Sequence, residues 1–193
     1  MRASIKRFNQ AARNVLLRAP TETMNSGQSR IMDVHLFIAF LEDEGTAGKL
    51  LAEQGAEIEK ISGVVKEILP ASGIAPGEGG NLQLDETTQR ALERAVEIAR
   101  QKNTKSISAE QLLFALLKNA SSPLKKVIAS CGLDRDHLCE RLEPLLAVSM
   151  GETELYELLE TLETCRRLFN PEDVHRQRLG RIEDILQEYY STR

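Results

Sequence analysis

An internal duplication constrains this chain more than any other feature it has. Residues 31–41, Ile-Met-Asp-Val-His-Leu-Phe-Ile-Ala-Phe-Leu, return 76 positions later as residues 107–117, Ile-Ser-Ala-Glu-Gln-Leu-Leu-Phe-Ala-Leu-Leu. At that offset Phe8 aligns with Leu84, Leu16 with Leu92, Ala19 with Ala95, Leu36 with Leu112 and Ala39 with Ala115. One extra residue in the second copy moves the offset to 77. Lys49 then aligns with Lys126, Gly55 with Gly132, and Ile61, Val65 and Ile68 with Leu138, Leu142 and Leu145. An apolar pattern held in register through a single one-residue shift is the signature of a repeat, and it makes the two halves answer to one fold.

Within each copy the apolar spacing is helical. The first repeat starts near Ser4, and Phe8, Ala11, Ala12, Val15, Leu16 and Ala19 mark its first helix, which Pro20 is expected to end or kink early, with residues 24–29 as loop. Asp33 is the expected N-cap of a short helix ending near Leu41, apolar on nearly every side and therefore buried. A third helix covers 46–54 with Gly55 behind it, and a fourth carries Ile58, Ile61, Val64, Val65 and Ile68 as far as Pro70. The second copy repeats the scheme over 85–101, 109–118, 122–131 and 134–146, with Asp85 as the first cap. Between the copies, residues 70–83 are rich in glycine and proline and read as a linker. No strand pattern is evident, so the fold class is all-α.

Past the repeats the character changes. Residues 1–146 carry 19 acidic and 19 basic side chains, whereas 147–193 carry 10 acidic and 6 basic, which places the whole net charge of −4 in the tail. Leu155, Leu158, Leu159, Leu162, Cys165 and Phe169 form one helical stripe there, and a second amphipathic helix follows Asn170-Pro171. A C-terminal helical hairpin is expected, with Leu155, Leu159, Leu162 and Phe169 as a partner-docking face. The domain scheme is therefore a double repeat over 1–146 (repeat 1 at 4–69, linker 70–83, repeat 2 at 84–146) and an acidic hairpin tail over 147–193.

Nothing in the local chemistry points to a catalyst. A balanced body offers no concentrated basic surface for nucleic acid, and no apolar run is long enough to span a membrane. Three cysteines, none in a Cys-x-x-Cys pair, argue for a reducing compartment, and hence the cytoplasm, over a disulfide scaffold or zinc site. His35, His137 and His175 lie in three separate segments, and the only glycine-rich run, 77–80, lacks the lysine of a phosphate loop. No catalytic residue, cofactor or metal is expected. His35, in a strongly apolar helix, reads as a hydrogen-bonded core or groove histidine.

Taken together, the doubled 31–41 and 107–117 motif, Phe8 with Ala12, Leu16 and Ala19, the paired Gly55 and Gly132, and the linker ending Gly79-Gly80-Asn81-Leu82-Gln83 resemble the Clp N-terminal domain. That domain stands at the front of the AAA+ unfoldases ClpA, ClpB, ClpC and ClpV. The resemblance covers about residues 4–146. It implies two four-helix repeats about a pseudo-two-fold axis and a groove that captures extended polypeptide segments or adaptor helices for a Clp-type ATPase. Carried over by position, the peptide-binding residues are Phe8 and Asn9 from the first copy and Leu84, Asp85, Ile107, Ser108 and Glu110 from the second. The family's Gly-Thr-Glu-His is Met32-Asp33-Val34-His35 in one copy and Ser108-Ala109-Glu110-Gln111 in the other, so the glutamate survives only in the second. Two functions are expected from this pattern: a peptide-binding or adaptor module working with a Clp ATPase, or a structural interaction scaffold assembled through the hairpin. The chain is read as a stand-alone protein in preference to a fragment, because the tail has the pattern of a finished hairpin.

Overall fold

The computed structural model describes residues 5–69 and 82–147. A single 3-10 turn, Ile5–Arg7, leads into α1 (Gln10–Asn25), β1 (Arg30–Ile31), α2 (Asp33–Leu41), α3 (Thr46–Glu53) and α4 (Ile58–Ile68). The second copy follows as β2 (Gln83–Leu84), α5 (Glu86–Gln101), α6 (Ala109–Lys118), α7 (Ser122–Ser130) and α8 (Arg135–Leu142), closed by a 3-10 turn over Glu143–Ala147. The chain divides into two units, Met1–Ser149 and Met150–Arg193. The hairpin expected in the second unit, with Leu155, Leu159, Leu162 and Phe169, lies outside the described residues, as does the linker over 70–81.

The two most apolar helices are the centre of the first unit. Residues 33–40 of α2 are all buried, as are 109–113 and 115–117 of α6. Each is packed by the first helix of its own copy, α1 on α2 and α5 on α6, while α4 meets α7 and α3 meets α6 and α8 across the copies. Both halves thus contribute to one core, which keeps two short repeats from each needing its own. Gly55 and Gly132 occupy the same place behind α3 and α7, at φ 80° and 73°, where a side chain would be strained.

Three local expectations are corrected. Pro20 lies inside α1, which continues to Asn25 and takes in most of the expected loop. The amide proline lacks is offset by packing, since Ala19 and Thr23 on either side of it are buried and the Thr23 hydroxyl donates to the Ala19 carbonyl at 2.8 Å. The same helix starts at Gln10 because Asn9 is its cap: Asn9 Oδ1 accepts from the Ala12 amide at 2.9 Å. Asp33 does not cap α2. It is the first helical residue, and its carboxylate reaches Ser121, where it accepts from the amide at 2.7 Å and the hydroxyl at 2.8 Å. Finally, two short strands do exist, each only two residues long.

Candidate functional site

The strands show how the duplication is used. Arg30 and Ile31 of β1 pair in parallel with Gln83 and Leu84 of β2, and Phe8 makes a parallel bridge with Ile107. Phe8 and Leu84 are equivalent in the repeat, as are Ile31 and Ile107. Each copy's lead-in to its first helix therefore pairs with the other copy's lead-in to its second. The hydrogen bonds obey the same exchange: the Asn9 amide donates to the Ile107 carbonyl at 2.8 Å, and the Asp85 amide donates to the Ile31 carbonyl at 2.9 Å. The Ile107 amide returns a bond to the Arg7 carbonyl at 2.7 Å. Two symmetry-related crossings hold the starts of α1, α2, α5 and α6 together.

Six of the seven carried-over residues fall on or beside these crossings. Phe8, Asn9, Ile107 and Ser108 meet at one of them; Leu84 and Asp85 stand at the other. Phe8 is 3% exposed and Ile107 1%, so both side chains are in the core beneath the crossing. Asn9 and Asp85 are half-buried helix caps, Asp85 Oδ1 accepting from the Thr88 amide at 2.7 Å. Ser108 is buried and caps α6. Leu84 is half-buried, which leaves it, Asn9 and Asp85 as the reachable rim. Glu110 stands apart from both crossings. It is 7% exposed and faces Asp43, whose pKa is raised by burial and further by the Glu110 charge.

Beneath the crossings the copies solve one capping problem with different residues. In α2 the Met32 amide donates to Nδ1 of His35 at 3.0 Å; in α6 the Ser108 amide donates to Oε1 of Gln111, also at 3.0 Å. With Nδ1 accepting, the neutral imidazole carries its proton on Nε2 and gives it to Ser26 Oγ at 2.9 Å, and Ser26 Oγ donates to the Thr23 carbonyl. Burial lowers the His35 pKa from 6.5 to about 4, against a smaller opposing pull from Asp85. Asp33, by contrast, is raised by burial despite its two bonds from Ser121. His35 is thus a neutral structural histidine. Among the described residues no group of three or more His, Cys, Asp or Glu is placed to hold a metal ion, and no helix is long and apolar enough to cross a membrane.

Residues 7–131 and 83–181 match the model of the Clp repeat (R) N-terminal domain, and together the two matches cover most of the chain. The chain belongs to this family. Among curated proteins it is 26% identical over 140 residues to the chloroplastic chaperone protein ClpC1 of Oryza sativa subsp. japonica, a match that covers 72% of the chain but 15% of that protein. This chain therefore spans only about a sixth of the length of such Clp relatives. Among solved structures, the N-terminal domain of the Clp chaperone ClpD from Arabidopsis thaliana superposes with a TM-score of 0.64 at 21% identity. That superposition covers 74% of this chain and 99% of that one. A ClpV N-domain in complex with a VipB peptide superposes at 0.52 with 13% identity, over 76% and 94% of the two chains. These likenesses establish the Clp N-domain double-repeat fold.

Proposed function

We propose that the double repeat is a non-catalytic binding module that takes extended polypeptide segments along the rim of the backbone crossings and works with a Clp-type AAA+ ATPase. The observation that carries this reading is the rim itself. Asn9, Leu84 and Asp85 combine a half-exposed apolar side chain with two capping side chains, directly beside short strands whose backbone is already extended. Apolar contact flanked by polar groups and extended main chain is what an unfolded segment can use without folding first. The ClpV N-domain bound to a VipB peptide supports it by fold. Phe8, Ile107 and Ser108 act from beneath, by fixing the backbone of the rim, while Glu110 supplies negative charge near Asp43 for a cationic side chain. The acidic tail, through Leu155, Leu159, Leu162 and Phe169, is the partner-docking element. The buried free thiols of Cys131 and Cys139, both raised in pKa by burial, suit a reducing, cytoplasmic setting.

The test is fluorescence anisotropy with a labelled, permanently unfolded polypeptide. Full-length chain is expected to bind saturably, Leu84→Ala to weaken binding about tenfold, and deletion of 149–193 to leave it intact. Unchanged binding in both Leu84→Ala and Glu110→Ala, with circular dichroism intact, would falsify the rim assignment. Loss of self-association on tail deletion, with no peptide binding by any variant, would instead favour a scaffold assembled through the tail.

A further inference from the structure

Adjoining the Phe8–Ile107 crossing, the first unit has a cavity of about 170 Å³ beside the α5–α6 loop. Its walls include Arg7, Arg100, Asn103, Lys105 and Ser106. The cavity is held in shape by the backbone. Asn103 adopts φ 54°, its amide donates to the Arg100 carbonyl at 3.2 Å, and the Thr104 amide donates to the Ala99 carbonyl at 2.9 Å. The Lys102 amide donates to the Ile98 carbonyl at 2.9 Å, so the Ile98, Ala99 and Arg100 carbonyls near the end of α5 are all hydrogen-bonded within this turn. From the other side, the Ile107 amide bonds to the Arg7 carbonyl and fixes that residue against the loop.

The repeat provides an internal control on what this loop needs in order to fold. Features required by the scaffold recur in both copies: the capping pair His35 and Gln111, the caps Asn9 and Asp85, the glycines Gly55 and Gly132. The cations around the cavity do not recur. At the same offset of 76, Arg100 corresponds to Met24, Lys105 to Ser29, Asn103 to Gly27 and Arg7 to Gln83. The first copy builds the same loop without them. Neither Arg7 nor Arg100 has an ion-pair or hydrogen-bond partner for its guanidinium among the described residues, although acidic side chains equal basic ones in number over 1–146.

We infer that this cavity is an oxyanion-binding site, in which the Arg7 and Arg100 guanidinium groups hold a phosphate or carboxylate group, with Ser106 and Asn103 supplying neutral donors beside them. Two planar forks lining one cavity, one from before α1 and one from the end of α5, match the several acceptor oxygens of such a group better than a single lysine would. A cavity of this size takes one such group together with the atoms that carry it.

The experiment is a titration of the full-length chain with inorganic phosphate at constant ionic strength, followed by amide and arginine Nε chemical shifts. A parallel series uses acetate. Saturable shifts confined to Arg7, Arg100, Asn103, Lys105 and Ser106 are expected. Arg100→Met and Arg7→Gln, which install the first copy's residues, should each weaken the response about tenfold. Arg94→Gln, on α5 and paired with Glu97, should leave it unchanged. Tighter binding of phosphate than of acetate would assign a phosphorylated ligand, and the reverse order a carboxylate. Linear, non-saturating shifts with both anions, or a saturable response that survives both substitutions at the cavity, would overturn the inference.

Discussion

Exchanging His35 for glutamine isolates a proton. Gln111 performs the same cap in the second copy at the same 3.0 Å distance, so His35→Gln keeps an acceptor for the Met32 amide and a donor for Ser26 while removing the titration. The imidazole titrates at about 4 when folded and at 6.5 when free in the unfolded chain. Because the folded value is the lower one, the unfolded state takes up a proton first as pH falls. The stability that neutral His35 contributes is therefore complete above 6.5 and is lost progressively down to about 4. Between about pH 7 and about pH 5 the loss amounts to about 2 kcal/mol, rising to about 3 kcal/mol once both forms are protonated. Asp33 and Asp43 work in the opposite sense. Their folded pKa values are raised, so they favour the folded state as pH falls from above those values toward 3.8. The comparison between variants cancels them. The assay is urea denaturation of wild type and His35→Gln at about pH 7, 6 and 5, with the slope m held in common. The variant should be within about 1 kcal/mol of wild type at neutral pH and overtake it by the acid end of the series. Parallel pH profiles for the two proteins would refute both the neutral imidazole and its place in the cap.

Two further substitutions probe the packing at the two ends of α2. A methyl group on Gly48 would collide with the Asp43 carbonyl oxygen and lie 2.8 Å from that of Phe40. Gly48→Ala should cost at least about 3 kcal/mol by forcing the α2–α3 turn apart, visible as a fall in thermal midpoint; a midpoint within a degree or two of wild type would contradict that geometry. Asp33→Ala removes both acceptors for Ser121, whose hydroxyl in turn caps α7 by accepting from the Leu124 amide at 3.2 Å. A loss of about 2–4 kcal/mol is expected, with faster hydrogen exchange at Leu124 as the specific sign, and undiminished protection there would remove Ser121 from the cap.

The duplication made most helices legible, because a segment seen twice is filtered of local accident: the α6 expectation matches the structure at both ends. Three features escaped for physical reasons. Strands of two residues are too short to show alternation. The partner of Asp33 lies 88 positions away, so a residue with every local mark of an N-cap was assigned to the nearest helix. Pro20 is tolerated because burial of Ala19 and Thr23 outweighs one missing amide, a tertiary effect with no local trace. At the site, the residues carried over by resemblance could not be sorted from sequence into rim and core: Phe8 and Leu84 occupy one repeat position, yet only Leu84 is accessible. The basic cavity was invisible to an apolar alignment, and its signal lay where the copies disagree.

The exchanged backbone pairing has a consequence for how such a chain could arise. Phe8 finds Ile107 and Leu84 finds Ile31, so neither copy satisfies its own lead-in strands; each borrows from its sibling. Contact of one position with a second, answered by the second with the first, is the rule of an isologous dimer. Two molecules of a single unduplicated repeat would make both crossings in trans with one sequence. Fusion through a loop then turns a concentration-dependent association into an intramolecular one, and frees the halves to diverge. An arginine could then appear on one side without appearing on the other.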